Sequence, residues 1–276
     1  MRKQVLFILS LFLAINLHAE NKFVIEGRVA NVPDGLIVEL LRNEDNVGML
    51  VASDTLRNGK FRFEEETSGN GTDWMFLTAR TENYDSMILY LWVRPGSSIR
   101  ISADNLLVYT WNVESDVPEQ QTRSKILASS RDLWNEYQIL DGDYDSLRSR
   151  IKSGKYSGEE KKRQKARLDS MKQAKSMLQD RISAVELEAM AKLDVDQAWM
   201  LNYVNTAYMV NISKNKDNLE KAKALYAYIP DVWRDSYSGR EAKNVLFPQH
   251  VVEVGEEAAD ADLYDIDGKL WHLSDF

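Results

Sequence analysis

Met87-Ile88-Leu89-Tyr90-Leu91-Trp92-Val93, the turn Pro95-Gly96-Ser97-Ser98 and then Ile99-Arg100-Ile101 form the stretch that decides the fold. Its two apolar runs are short and rich in aromatic and β-branched residues, a composition that suits a pleated surface. Pro-Gly between them supplies a tight turn. Toward the N-terminus the pattern recurs in Phe23-Val24-Ile25-Glu26-Gly27-Arg28-Val29, Leu36-Ile37-Val38-Glu39-Leu40, Lys60-Phe61-Arg62-Phe63-Glu64 and Met75-Phe76-Leu77-Thr78. Pro33-Asp34-Gly35, Asn58-Gly59 and Gly69-Asn70-Gly71 punctuate these runs. Strands so spaced, with no helical period between them, predict an antiparallel β-sandwich of roughly seven or eight strands over residues 20–115.

Toward the C-terminus the period changes. Ile126, Leu133, Leu140 and Leu147 recur every seven residues, with Tyr137, Tyr144 and Ile151 at complementary positions, so a long helix with one apolar face is expected. The Ser153–Gly158 stretch breaks it, and Glu159 and Glu160 open a second helix whose stripe is Leu168, Met171, Ala174, Leu178, Ile182, Val185, Ala189 and Leu193. At 1.5 Å per residue that second helix would be roughly 50 Å long, so it either protrudes or packs across other helices. Asp196–Ile212, Asp217–Ile229 and a short segment at Arg240–Leu246 supply those others, with Trp199, Tyr203, Ala207, Leu219, Ala222 and Tyr226 as expected contacts. Pro230 and Phe247-Pro248 act as stops. The helical region thus covers 119–247. In the tail at 249–276, Leu263-Tyr264-Asp265-Ile266, Asp267-Gly268 and Lys269-Leu270-Trp271-His272-Leu273 read as a β-hairpin with a two-residue turn. The expected class is α+β with segregated parts: sandwich, long antiparallel helix pair with further helices, and a short C-terminal hairpin.

Met1-Arg2-Lys3 followed by the apolar run Val5–Ile15 has the form of a secretory signal peptide. Leu17 and Ala19 fit the −3 and −1 positions of a cleavage site, so residues 1–19 are expected to leave and the chain to be exported. The run is too short to span a bilayer comfortably, and no membrane span is expected after cleavage. Loss of Arg2 and Lys3 takes the net charge from −8 to −10. So acidic a chain argues against nucleic-acid binding, which needs a basic footprint. The local excess of 13 Lys/Arg over 9 Asp/Glu at 141–192 reads as a solvated helix face.

The sequence contains no cysteine, which excludes a disulfide, a thiolate metal cluster and a catalytic thiol from these 276 residues. Asp260, Asp262, Asp265, Asp267 and Gly268 invite a calcium loop, but an EF-hand aligned on Gly268 would need acids where Leu263 and Ser274 stand. His250 and His272 have no His or Cys beside them that would complete a zinc or iron site. Neither a Gly-x-Ser-x-Gly elbow nor a Gly-rich phosphate loop is present. No catalytic, cofactor-binding or metal-binding residue is therefore assigned. Trp74, Trp92 and Trp111 would make a sugar-stacking platform if exposed on one face, although strand alternation more often places such rings in a core.

Ile25-Glu26-Gly27-Arg28-Val29, Val32-Pro33-Asp34-Gly35, Asp54-Thr55, Asn58-Gly59-Lys60-Phe61-Arg62-Phe63 and Val93-Arg94-Pro95-Gly96-Ser97 carry a family resemblance at the N-terminal end. Val254-Gly255-Glu256-Glu257-Ala258-Ala259-Asp260, Asp265-Ile266-Asp267-Gly268-Lys269 and Leu273-Ser274-Asp275-Phe276 carry it at the other end. The chain resembles exported thiol-disulfide oxidoreductases in which a β-sandwich of unknown function and a helical segment precede a thioredoxin-like domain of the alkyl hydroperoxide reductase / thiol-specific antioxidant type. Ala259 stands where that family usually has Pro. In the family a Gly-Lys pair, a buried strand and a Trp-Cys-x-x-Cys motif follow the residues matching Leu273 to Phe276, so no residue of this chain inherits the role of a catalytic cysteine.

The resemblance implies that residues 249–276 are the run-in to a thioredoxin-like domain. Its chemistry would be thiolate attack on protein disulfides, with a second cysteine resolving the mixed disulfide. This chain would serve as a non-catalytic scaffold or partner-selecting portion, with a homodimer through the helices as a further expectation. The alternative is a stand-alone envelope binding protein for a glycan or protein ligand, with the helices as a dimerisation arm.

Overall fold

The structure, a computed structural model, describes residues 21–44, 47–82, 84–248, 263–272 and 275. The stretch at 1–19 expected to be a signal peptide lies outside the described residues, as do His250, Asp260 and Asp262.

β1 (Lys22–Val29) alternates strictly enough to send Phe23, Ile25, Gly27 and Val29 inward. It pairs antiparallel with β4 (Lys60–Glu66), placing Ile25 opposite Phe63, and parallel with β8 (Ser98–Ala103), placing Ile25 opposite Ile99. β9 (Asn112–Glu114) completes this four-stranded sheet. The second sheet has β2 (Ile37–Glu44) at its centre, flanked by β3 (Val47–Thr55) and β5 (Asp73–Thr81). Both β6 (Tyr84–Asp85) and β7 (Leu89–Val93) pair with β5. Phe23, Ile25, Val38, Leu40, Met75, Leu77, Leu91 and Ile99 fill the space between the sheets. The expected sandwich is present, but among the described residues it has nine strands rather than seven or eight, and its β1/β8 pairing is parallel, which local patterning does not reveal.

Two turns show why the punctuation was informative. Asn58 (φ 51°) and Gly59 (φ 67°) both adopt positive φ, and Arg57 and Lys60 exchange backbone hydrogen bonds of 3.1 and 3.0 Å across them. That is the two-residue type I′ geometry whose twist matches the flanking strands. Gly96 (φ 77°) follows Pro95, and Ser97 N donates to Arg94 O at 3.0 Å, closing the predicted Pro-Gly turn.

The outer face of the second sheet is aromatic. Trp74 stands opposite Trp92 and Phe76 opposite Tyr90, with Trp74 stacked on Tyr90 at 5.9 Å and on Trp92 at 6.0 Å. Such a face must be covered, and Val117, Ala198 and Leu201 pack against its tryptophans. The edge of β7 is closed by a side chain: Trp92 N donates to Gln120 Oε1 at 2.9 Å in a buried position.

α1 (Pro118–Lys152) begins with proline at its first turn, where no amide partner is required. α2 (Gly158–Met190) runs back along it. Buried residues concentrate in the first half of α1 and the last part of α2; beyond Tyr137 on α1 and before Leu178 on α2, only Leu147 is buried. The two helices therefore leave the body as an arm. α3 (Gln197–Ser213) is capped by Asp196, whose carboxylate accepts from Trp199 N at 2.8 Å, and α4 (Lys216–Tyr226) by Asn215. After Pro230 comes a one-turn helix that the sequence pattern does not announce, α5 (Asp231–Arg234), and then α6 (Tyr237–Leu246). Trp199, Met200, Tyr203 and Ala207 of α3 form the centre of a second core, with Met190 and Leu225 beside them.

β10 (Leu263–Tyr264) and β11 (Leu270–Trp271) form the expected hairpin, and among the described residues they pair with each other alone. Its turn differs from the expected two-residue one. Asp265 N donates to Lys269 O at 3.1 Å and Gly268 N to Asp265 O at 3.0 Å, with Gly268 at φ 77°. This is a three-residue loop closed by a left-handed glycine. The Asp265 carboxylate selects it by accepting from the backbones of Asp267 and Lys269 and from Trp271 Nε1.

Candidate functional site

Where the aromatic sheet face meets the helices, a cleft of about 480 Å³ remains. Tyr90 reaches it from β7, and Tyr109 from the short 3₁₀ turn Val108–Thr110. Arg123 comes from α1, Ser183 and Glu186 from α2, and Asn202 and Thr206 from α3. The size suits a small molecule.

Arg123 is the unusual member. It is 3% exposed, and burial of a guanidinium costs heavily unless its donors are satisfied. Its Nη1 donates to Asn202 Oδ1 at 2.6 Å, an oxygen aimed by the bond from Asn202 Nδ2 to Ala198 O at 2.7 Å. The guanidinium lies 5.1 Å from the Tyr109 ring centroid and 5.6 Å from that of Tyr90, so aromatic faces offset part of the cost. Its Nε and Nη2 have no hydrogen-bond partner. The Tyr109 phenol stands close enough to favour the charged guanidinium both through space and as a polar side-chain partner, although no well-aligned hydrogen bond reaches Nε or Nη2. Burial alone would lower the Arg123 pKa; Tyr109, Glu186 and Tyr90 outweigh it and raise the value. Burial likewise pushes the Tyr109 phenol up to about 12, against the pull of Arg123.

Glu186, 5% exposed, is the other charge of the cleft. Ser130 Oγ and Trp134 Nε1 both donate to its Oε1 at 2.7 Å. Trp134 is held in turn against Tyr109, with ring centroids 4.5 Å apart. Arg123 and Glu186 attract each other without a direct hydrogen bond. The site thus holds one buried cation and one buried anion.

A larger concavity of about 520 Å³ lies beside Leu187, Trp199 and Leu225. Size does not make it the better candidate. Its charged residues, Glu188 and Lys221, already satisfy each other at 2.8 Å on the surface, and the rest of the lining is largely apolar.

The residues singled out from the sequence are not brought together. Trp92 and Trp111 are 1% and 2% exposed and belong to different clusters: Trp111 stacks on Phe61 in the sandwich core, and Trp92 lies under the helices with half-buried Trp74. They form no exposed sugar platform. Asp265 orders its own turn, and His272 N donates to Asp275 Oδ2. Among the described residues no cluster of three metal-ligating side chains occurs, and no helix is long and apolar enough to cross a membrane.

Arg123 and Glu186 escaped the sequence reading, although a signal was there. Arg123 sits three residues before Ile126 on the apolar face of α1, and Glu186 stands four after Ile182 and four before Met190 on that of α2. A charge at core spacing is the mark of a buried polar site. Protein-family models, curated proteins and solved structures give no match to this chain.

Proposed function

We propose that this chain is the exported, non-catalytic front portion of a periplasmic thiol-disulfide oxidoreductase, a scaffold or partner-selecting unit ahead of a thioredoxin-like domain. The observation that carries this reading is the hairpin. Leu263, Tyr264, Ile266 and Leu270 are all exposed, Ile266 completely, and among the described residues β10 and β11 pair only with each other. A two-stranded hairpin so uncovered is marginal in water and suits a role as the first edge of a further domain. Its Asp265–Lys269 turn is also part of the stretch that carries the family resemblance.

Protein disulfides would be engaged through the following domain. The helical arm, with exposed Ile139 and Met177, is the surface through which two copies would pair. Two assays test the reading together: N-terminal sequencing of the endogenous protein from the envelope fraction, and insulin-disulfide reduction by that protein and by this chain alone. The expected results are a mature start at Glu20, reduction by the endogenous protein and none by the cysteine-free chain. Retention of residues 1–19 in a cytoplasmic protein, or reduction by the chain alone, would contradict it.

A further inference from the structure

β3 is an edge strand: among the described residues it pairs with β2 alone. The free N–H and C=O groups of such an edge template another strand, and charge, proline or a bulge is the usual guard against it. Here Val47–Ser53 holds neither charge nor proline, and Val47, Met49 and Leu50 are 59%, 49% and 60% exposed. Its guard is a bulge between the Leu40 and Leu41 pairings.

Charge sits instead at the two ends of this edge, with opposite sign. β4, the edge of the other sheet, lies alongside: Arg62 N donates to Asp54 Oδ2 at 2.9 Å, and Arg42 Nη2, from the residue opposite Met49, donates to Glu66 O at 2.6 Å. Exposed Glu44 and Glu66 therefore mark the end where β3 begins. Exposed Arg28, Arg57 and Lys60 gather where it ends, around a concavity of about 360 Å³ that Asp54 and Thr55 also line. Arg28 stands directly opposite Lys60, a like-charge placement that costs stability. Among the described residues none of these side chains is held in an ion pair.

We propose that β3 pairs antiparallel with β3 of a second copy across a two-fold axis, joining two sandwiches edge to edge. Such a contact sets the beginning of each strand beside the end of the other. The neutral stretches then meet, and the Glu44/Glu66 end of each copy faces the Arg28/Arg57/Lys60 end of its mate. An unrelated extended peptide would need the same charge order to satisfy both ends, and this strand already carries it. One strand added to an edge buries less than a standard interface, so the dimer is weak, with a dissociation constant on the order of 10–100 µM. The inference depends neither on a following domain nor on pairing through the helical arm.

Sedimentation equilibrium of the purified full chain carrying Ile139→Glu and Met177→Glu, which remove the arm's apolar contacts, tests it. The expected result is a monomer–dimer equilibrium that weakens several-fold at high salt, because exposed charges are screened. Leu50→Lys places a charge at an exposed position of the contact and should weaken association by about tenfold or more. Two charge-reversed chains give the sharper comparison: one carries Glu44→Lys and Glu66→Lys, the other Arg57→Glu and Lys60→Glu. Each should remain monomeric alone, and their mixture should form a one-to-one dimer. A parent chain that stays monomeric up to about 1 mM would overturn the proposal. So would association undiminished by Leu50→Lys, or a mixture of the two folded reversed chains that stays monomeric. If a reversed chain fails to fold, the concentration and salt series on the parent chain still decide.

Discussion

Gly27 on β1 faces the Phe61 ring so closely that an added Cβ would stand 1.9 Å from Cε1. The ring is packed among buried residues and cannot swing away freely, so Gly27→Ala should destabilise the chain by about 1–3 kcal/mol. Urea denaturation checks this; an unchanged midpoint would show that Phe61 repacks without cost. Tyr109 makes a prediction about pH. Its phenol is raised to about 12, chiefly by burial. Below the unfolded tyrosine value of about 10, both states hold the proton and the contribution to stability is complete. As pH rises from there through the folded value, the unfolded chain releases its proton first and stability falls, by an amount on the order of 3 kcal/mol for this residue. Tyr84 and Tyr203 shift in the same direction, so Tyr109→Phe should flatten part of the alkaline slope. Urea midpoints compared between about pH 8 and about pH 11 measure it, and an identical slope in the variant would contradict the assignment. At this scale the sequence was least legible. Counting apolar positions located the faces of α1 and α2 but passed over Arg123 and Glu186, because a charge on a core stripe reads as an interruption until its partners on other elements are known.

Elements were far more legible than residues, since strand alternation and helix period are local properties. The Asn58-Gly59 and Pro95-Gly96 turns, the break after Lys152 and the cap at Asp196 all fall where residue chemistry requires them. The parallel pairing of β1 with β8 was not legible, because strand order depends on contacts some seventy residues apart. The Asp267-Gly268 turn was misjudged by one residue, since the Asp265 side chain selects the longer loop. The helical arm yields the prediction proper to this scale. Leu147 is the only buried residue of its distal part, and Lys175, which pairs with Asp141 and lies over Tyr137 and Tyr144, closes the packing nearer the body. Replacing residues 148–170 by a short Gly/Ser loop should leave the near-ultraviolet circular dichroism unchanged and shift Tm by no more than about 3 °C. Loss of the cooperative transition would mean that the arm is integral to the body.

For the whole molecule, two cores meet at the aromatic face of the second sheet, and the cleft holding Arg123 opens at that junction. Segregation into sandwich, helices and hairpin followed directly from where the periodicity changes, near Glu119 and again near Leu263. The way the helices cover Trp74, Trp92 and Tyr90 did not, because alternation tells which residues share a face but not what that face meets. The uncovered hairpin is the feature on which the proposal of a following domain rests. Intact-mass measurement of the endogenous protein from the envelope fraction tests that link most directly. A mass exceeding that of Glu20–Phe276 by a domain, with cysteines in the added portion, is the predicted result; a mass equal to Glu20–Phe276 would contradict the account.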